Sequence, residues 1–322
     1  MDNTTSVTEN TITRKRTKLG RDKWGYIFLI PFFVVFLVFS FYPLLQTVYF
    51  SFFDHYTAQD LTEVHKFVWF KNYKALFSED TGILRLGFNT MVLWIMGFVP
   101  QIIFSLLLAS WFANTRLRIR AAGFFKAVIY LPNLIMAIAF GMMIFLMFSR
   151  GGPVHQVLES FGMAEDFDLF TKISTTRGLI AFINFIMWFG NTTILLMAGI
   201  MGINESLFEA AEVDGASQFQ VFRKITLPVL RPILVYVLIT SLIGGIQMYD
   251  VPQVITKGKG MPMSKDIFSS SGPAAETIIM RLATYISKSQ NFGAAGALSV
   301  VLLIVTGILS YIVYRFMVKN DD

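Results

Sequence analysis

The chain contains no cysteine. That single absence excludes disulfides, thiolate metal sites and cysteine nucleophiles together. Histidine is nearly as scarce: His55, His65 and His155 are the 3 present and stand far apart in sequence, so no metal site is expected. A phosphate-cradling G-x-x-x-x-G-K-[ST] loop is also missing, because Lys257-Gly-Lys-Gly260 lacks both the upstream glycine and the following hydroxyl. The chain is therefore not expected to bind ATP or another cofactor itself. Carboxylates gather in polar stretches such as Glu165-Asp-Phe-Asp168, which reads as a solvated loop. No nucleophile, base and orienting group can be assembled from what remains, so the chain is expected not to be an enzyme.

Charge is absent from six long stretches. Runs free of Asp, Glu, Lys and Arg occupy 24–53, 86–115, 127–149, 178–204, 232–249 and 289–314 in a sequence that is 54% hydrophobic with 33 Phe. Each approaches or exceeds the ~20 residues that cross a bilayer as a helix. A segment in lipid must satisfy its backbone polar groups internally, so the expected fold is an all-α integral membrane protein with six transmembrane helices. The basic stretch before the first run resembles a signal peptide, but the run is too long and lacks a small-residue cleavage pattern.

Lys and Arg near the ends of short loops set orientation. Arg14, Lys15, Arg16, Lys18, Arg21 and Lys23 precede the first run, and Arg116, Arg118, Arg120 and Lys126 follow the second. Both segments are placed in the cytoplasm, which puts 54–85, 150–177 and 250–288 outside and both termini inside. The net charge of +6 is accounted for by these segments lying against anionic lipid, without nucleic acid. Ion-coupled carriers place ionisable side chains within their spans. The six runs have none, which speaks against a secondary carrier.

Between the fourth and fifth runs lies a charged segment with helical apolar spacing. Glu205, Glu209, Glu212, Asp214, Arg223, Lys224 and Arg231 keep it in water, while its alanines and phenylalanines need a surface to bury against. The spacing predicts a capping box at Ser206-Leu-Phe-Glu209 and a second at Ser217-Gln-Phe-Gln220. Between them Gly215 is free to adopt the left-handed conformation that ends one helix and turns the chain. A helix, glycine turn and helix presenting Leu207, Ala210 and Ala211 on one face suits a docking element.

The run Glu209-Ala-Ala-Glu-Val-Asp-Gly-Ala216, followed by Phe219, Phe222, Ile225 and Leu227-Pro228, resembles the EAA loop of binding-protein-dependent ABC importer permeases. Residues 24 to 316 are similar to the maltose-type sugar permeases, through Tyr42-Pro43, Ser51-Phe52-Phe53-Asp54, Asn72-Tyr73 and Phe88-Asn89-Thr90. The resemblance implies a heterodimer with a second permease subunit, two copies of a cytoplasmic ABC ATPase that bind the ATP, an extracellular solute-binding protein, and a sugar or oligosaccharide as cargo. It implies a bacterial plasma membrane location, and coupling to the ATPase through Glu209, Ala210, Ala211, Asp214, Gly215, Phe219 and Phe222. The expected division is a basic tail 1–23, a permease domain 24–316 with its coupling loop at 205–231, and a short tail 317–322. The large external insertion of the maltose relative is missing here.

Polar and small residues within spans mark either a cavity or close helix packing. In the fourth run Ile186, Phe189, Gly190 and Thr193 share a helical face, with Asn191 beside them. In the fifth, Ser241, Gly244, Gly245 and Met248 do the same, and Gln247 lies just beyond. Small residues beside aromatics suit a sugar ring, and the resemblance favours a substrate path over helix packing, with Gly190, Ser241 and Gly245 at matching positions. In the loop 250–288, Ile278, Leu282 and Ile286 recur at i+4, consistent with an amphipathic helix on the outer surface that forms part of a docking face for the binding protein. Glycerol phosphate or another small solute is the alternative cargo. An ion-coupled carrier and a membrane-embedded enzyme are the rival classes.

Overall fold

A computed structural model describes residues 22–57, 63–78, 82–113, 120–162, 173–257, 263–265, 271–273 and 275–318. Arg14, Lys15, Arg16, Lys18, Arg21, Arg116, Arg118 and the acidic run 165–168 lie outside them. Among the described residues, six helical segments are long and apolar enough to cross a membrane: Gly25–Phe50, Ile83–Ala113, Ala137–Ser160, Ile173–Met201, Gln218–Thr256 and Phe292–Val318.

The structure divides after Tyr49 into two units, described separately. In the first, α1 (Asp22–Phe36) continues through a π-helical turn, Leu37–Phe41, into α2 (Tyr42–Phe50). The turn follows from Pro43, which has no N–H to give, so the ladder resets with the Tyr42 N–H donating to the Leu37 carbonyl. Side chains from Tyr26 to Leu45 are exposed, an apolar cylinder suited to lipid or to another helix.

The second unit opens with the hairpin β1 (Phe53–Thr57) and β2 (Glu63–Phe67), then α3 (Lys71–Leu76) and α4 (Ile83–Ala113). Two further helices follow, α5 (Ala122–Leu134) and α6 (Ala137–Phe148), with α7 (Pro153–Ser160) and α8 (Ile173–Met201) after them. The chain continues through α9 (Glu205–Val213), α10 (Gln218–Val221), α11 (Leu227–Ile246) and α12 (Asp250–Lys257). A small hairpin, β3 (Met263–Lys265) with β4 (Ser271–Pro273), precedes α13 (Ile278–Ser287) and α14 (Phe292–Val318).

Helices α4 and α8 form the central pair. They run parallel, as alternate spans of one membrane protein must, with Gly97 of α4 against the Ala181 backbone. Further along, Gln101 Nε2 donates to Thr192 Oγ1 (2.8 Å) and Ser105 Oγ to the Phe189 carbonyl (2.9 Å). Small and polar contacts of this kind hold helices together where lipid removes the hydrophobic drive. Three apolar clusters surround the pair. One gathers Leu93, Phe140, Ile144, Leu179, Ile180, Ile183, Val251 and Ile255. The second gathers Leu86, Leu242, Ile246, Leu298 and Leu302, and the third Ala109, Leu196, Met197, Ile200 and Leu230.

Three expectations need correction. The run 127–149 is not one helix: α5 stops at Leu134, Ile135 is extended, and α6 begins at Ala137. Pro132 withholds an N–H in the last turn of α5, and Asn133 turns its amide to the Met187 carbonyl of α8 instead (3.2 Å). The helices also outrun the charge-free stretches, so Arg85 sits inside α4 only 3% exposed, 3.6 Å from Glu276. Finally, 250–288 is not wholly a loop, because α12 buries Val251 and Ile255 in the core. The expected amphipathic helix is α13: Ile278 and Leu282 pack on the second cluster while Ile286 is exposed.

The motif residues near the amino-terminal hairpin are structural ties. Asn72 Nδ2 donates to the Ser51 and Phe53 carbonyls (3.0 and 2.9 Å), and Ser51 Oγ pairs with Tyr73 OH at 2.7 Å. Asn89 and Thr90 are fully buried; the Ile278 N–H donates to Thr90 Oγ1, and Asn89 Nδ2 donates to the Glu276 carbonyl. Glu276 also pairs with Arg281 at 3.0 Å. Burial opposes the Arg281 cation, but hydrogen bonds and charge from Glu276, with Tyr285, outweigh it and raise its pKa above the ordinary value. Asn72→Ala would remove both of these hydrogen bonds and should destabilise the hairpin and α3 junction by about 1–3 kcal/mol, read as a lower melting temperature of the purified protein in detergent.

Candidate functional site

The segment between α8 and α11 folds as a helix, a glycine turn and a helix. Asn204, not Ser206, caps α9: its side chain accepts from the Ser206 N–H (3.1 Å) and the helix begins at Glu205. Ser206 is thus inside the helix and Glu209 is past the N3 position, so the first expected capping box is absent. Asparagine caps as well as serine, which moves the start two residues back. The second box is present, with the Ser217 N–H donating to Gln220 Oε1 (2.7 Å) and the Gln220 N–H to Ser217 Oγ (3.3 Å).

Gly215 has φ +70°. Around it the Ala216 N–H reaches the Ala211 carbonyl and the Gly215 N–H the Glu212 carbonyl (both 2.9 Å), satisfying the last carbonyls of α9. After α10 a π-helical turn, Phe222–Thr226, precedes Pro228 as the first one precedes Pro43, and leads without a break into α11. α10 is thereby continuous with the helix of the fifth span. On the outer face Leu207 and Ala210 are exposed, Val213 is 88% and Phe219 70% exposed, and Glu209 and Asp214 lie beside them. Ala211 differs from expectation: it is buried, on the side of α9 facing the protein. Phe222 is half-buried at the entry to the π turn.

The residues expected along a substrate path do not converge on one groove. A Cβ at Gly190 would collide with the Ile129 carbonyl, so this glycine lets α5 lie against α8. A Cβ at Gly245 would collide with the Trp94 ring, whose Nε1 donates to Ser241 Oγ (3.1 Å). Both glycines serve close packing. Thr193 is buried and its hydroxyl returns to the Phe189 carbonyl (2.7 Å). Ile186 and Met248 both pack at the edge of the first cluster, where Asn184 Nδ2 lies 3.5 Å from Met248 Sδ. Gly244 faces open space, Gln247 is exposed, and Asn191 and Phe189 are half-buried.

Two features escaped the sequence. His55 and His65, distant in sequence, are directly opposed across β1 and β2 with their Nδ1 atoms 3.2 Å apart. Asp250 and Gln253 of α12 join Tyr249, the residue before it, beside a cavity; the i, i+4 spacing of Tyr249 and Gln253 is the sequence signal for this, within a stretch whose composition reads as loop.

Six helical segments able to span a membrane, with a capped helical hairpin leading into the fifth, define a multi-pass membrane protein. The chain belongs to the family of binding-protein-dependent transport system inner membrane components, whose profile matches residues 101–320. It is 28% identical over 306 residues to the lactose transport system permease protein LacF of Rhizobium radiobacter, covering 94% of this chain and 96% of that protein. It is also 28% identical over 313 residues to the trehalose/maltose transport system permease protein MalF of Thermococcus litoralis, covering 95% and 97%. Among solved structures, a chain of a bacterial ABC transporter that imports the acidic polysaccharide alginate shares the fold, with a TM-score of 0.74 at 21% identity over 94% of this chain and 97% of that one.

Proposed function

We propose that the chain is one permease subunit of an ATP-driven importer for a sugar or oligosaccharide, working beside a second permease, two ATPase copies and an extracellular solute-binding protein. The observation that carries this reading is the hairpin at Asn204–Thr226. It presents Leu207, Ala210, Val213 and Phe219 to a partner and is continuous with α11. Exposed apolar side chains on a charged, well-capped element mark a protein interface. The cargo class is supported by relatives named for lactose, for trehalose and maltose, and, in Bacillus subtilis, for arabinooligosaccharides, the last 29% identical over 289 residues. A solved alginate transporter with a related fold carries a sugar-loaded periplasmic protein, which supports a binding protein as partner. ATP enters through the ATPase subunits, and its hydrolysis moves α9 and α10 and through them α11. Residues 1–23 and 317–322 form cytoplasmic tails in this reading, and α13 contributes to the binding-protein face.

Copurification tests the assembly: tagged chain extracted in mild detergent from the membranes of its native cells should retain an ATPase and a second permease. Topology is tested with single cysteines, because the natural chain has none. A cysteine at Ser78 should react in intact cells with a membrane-impermeant thiol reagent, and one at Ser217 only after the membrane is opened. Both residues are exposed, and they lie on opposite sides in the predicted alternation of spans. Labelling of Ser217 from outside would place the coupling hairpin where no ATP exists and would overturn the importer reading.

A further inference from the structure

Helix α12 has two unlike faces. Val251, Pro252 and Ile255 are buried against the core, whereas Tyr249, Asp250 and Gln253 point away from it, with the Gln253 N–H bonded to the Tyr249 carbonyl. Across from them stand Ile138, Met142 and Phe145 of α6, and the two sets line a cavity of about 460 Å³. That volume falls within the roughly 300–1,000 Å³ of small-molecule sites. Asp250 is exposed at the amino-terminal end of α12, after the break at 247–249 that follows α11, and α12 lies beside α6 of the third span. The N–H groups of the first α12 turn favour the charge of Asp250. They do not account for the open volume in front of it or for the aromatic, thioether and amide groups around that volume.

We propose that this groove is a cargo-contacting subsite and that Asp250 makes it selective for neutral over acidic sugars; the proposal rests on the sugar-importer reading above. An ionised carboxylate accepts hydrogen bonds from adjacent sugar hydroxyls, and charge-assisted bonds of this kind are the strong ones. Gln253 both donates and accepts, as a hydroxyl pair requires. The Tyr249 and Phe145 rings offer apolar faces to the C–H side of a pyranose or furanose. Among the described residues that line the groove there is no Lys or Arg to receive a uronate, and Asp250 repels one. The signature is therefore a polyol hydroxyl cluster on a ring without an anionic substituent.

The test uses the complete transporter in cells lacking the chromosomal copy, with radiolabelled lactose, maltose, trehalose and arabinobiose as neutral probes and digalacturonate as the anionic one. Wild-type cells should import at least one neutral probe and exclude digalacturonate. Asp250→Asn should cut neutral uptake about tenfold, the cost of weakening one charge-assisted hydrogen bond, with the subunits still copurifying. Asp250→Lys should allow digalacturonate to compete with the neutral probe. A purely structural role for Asp250 would lower assembly and leave the neutral-to-acidic ratio unchanged. Met142→Trp and Gln253→Ala serve as second variants, filling the groove and removing its amide without touching the α12 amino terminus. Full neutral uptake by assembled Asp250→Asn, or by both second variants, would overturn the subsite. Preferential import of digalacturonate by the wild type would overturn the charge selection and leave the sugar reading intact. Import of none of the five probes would count against the sugar reading itself, and the subsite would fall with it.

Discussion

Gly215→Val should abolish ATP hydrolysis stimulated by the binding protein, and uptake with it, while the spans insert as before. The backbone at Gly215 has φ +70°, a region that costs an L-residue about 1–2 kcal/mol and a β-branched one more. No side chain or backbone atom lies within 4 Å of a Cβ built there, so the penalty is conformational and not a clash. Relief of that strain requires φ to turn negative, which breaks the bonds from Ala216 to Ala211 and from Gly215 to Glu212 and rotates α10 against α9. Val213 and Phe219, one on each side of the turn, then no longer present a joint surface. Gly215→Asn is the control, since asparagine tolerates the left-handed region, and it should retain most of the stimulation. Measured in reconstituted complex, wild-type stimulation in Gly215→Val would remove the hairpin from the coupling path.

That turn was legible in the sequence because its determinants are local. Gly215 and the Ser217–Gln220 box depend only on residues within one helical turn, and both stand as read. The first box failed for a local reason too: Asn204 competes with Ser206 as cap, and nothing in the string Asn-Glu-Ser separates them except where the preceding helix ends. The six spans were legible because lipid demands length and apolarity, which a sequence displays directly. Their interior breaks were not. Proline inside α4 at Pro100 leaves that helix continuous, whereas Pro132 precedes a break beside which Asn133 bonds across to Met187 of α8, a contact that no local pattern displays. The register of the β1–β2 hairpin hid the pairing of His55 with His65, and tertiary contact the burial of α12.

Glycine within a span was the ambiguous signal, because a groove and a close helix contact call for the same missing side chain. The structure separates the two uses and predicts opposite phenotypes from one substitution. Gly190→Leu drives a side chain into the Ile129 carbonyl, a backbone atom that moves only if α5 moves, and Gly245→Leu drives one into the Trp94 ring and its bond to Ser241. Each overpacks a filled contact by at least the ~1–3 kcal/mol typical of such insertions. Both variants should therefore lose assembly, seen as failure to copurify the partner subunits and as a lowered melting temperature in detergent. Gly244→Leu, one residue from Gly245, meets open space on the exposed side of α11. It should assemble normally, and if that side of α11 borders the cargo path, uptake should fall while the complex remains intact. The decisive comparison is between the two adjacent glycines. Normal assembly of Gly245→Leu with uptake abolished would show that Trp94 swings aside and that Gly245 borders the path after all.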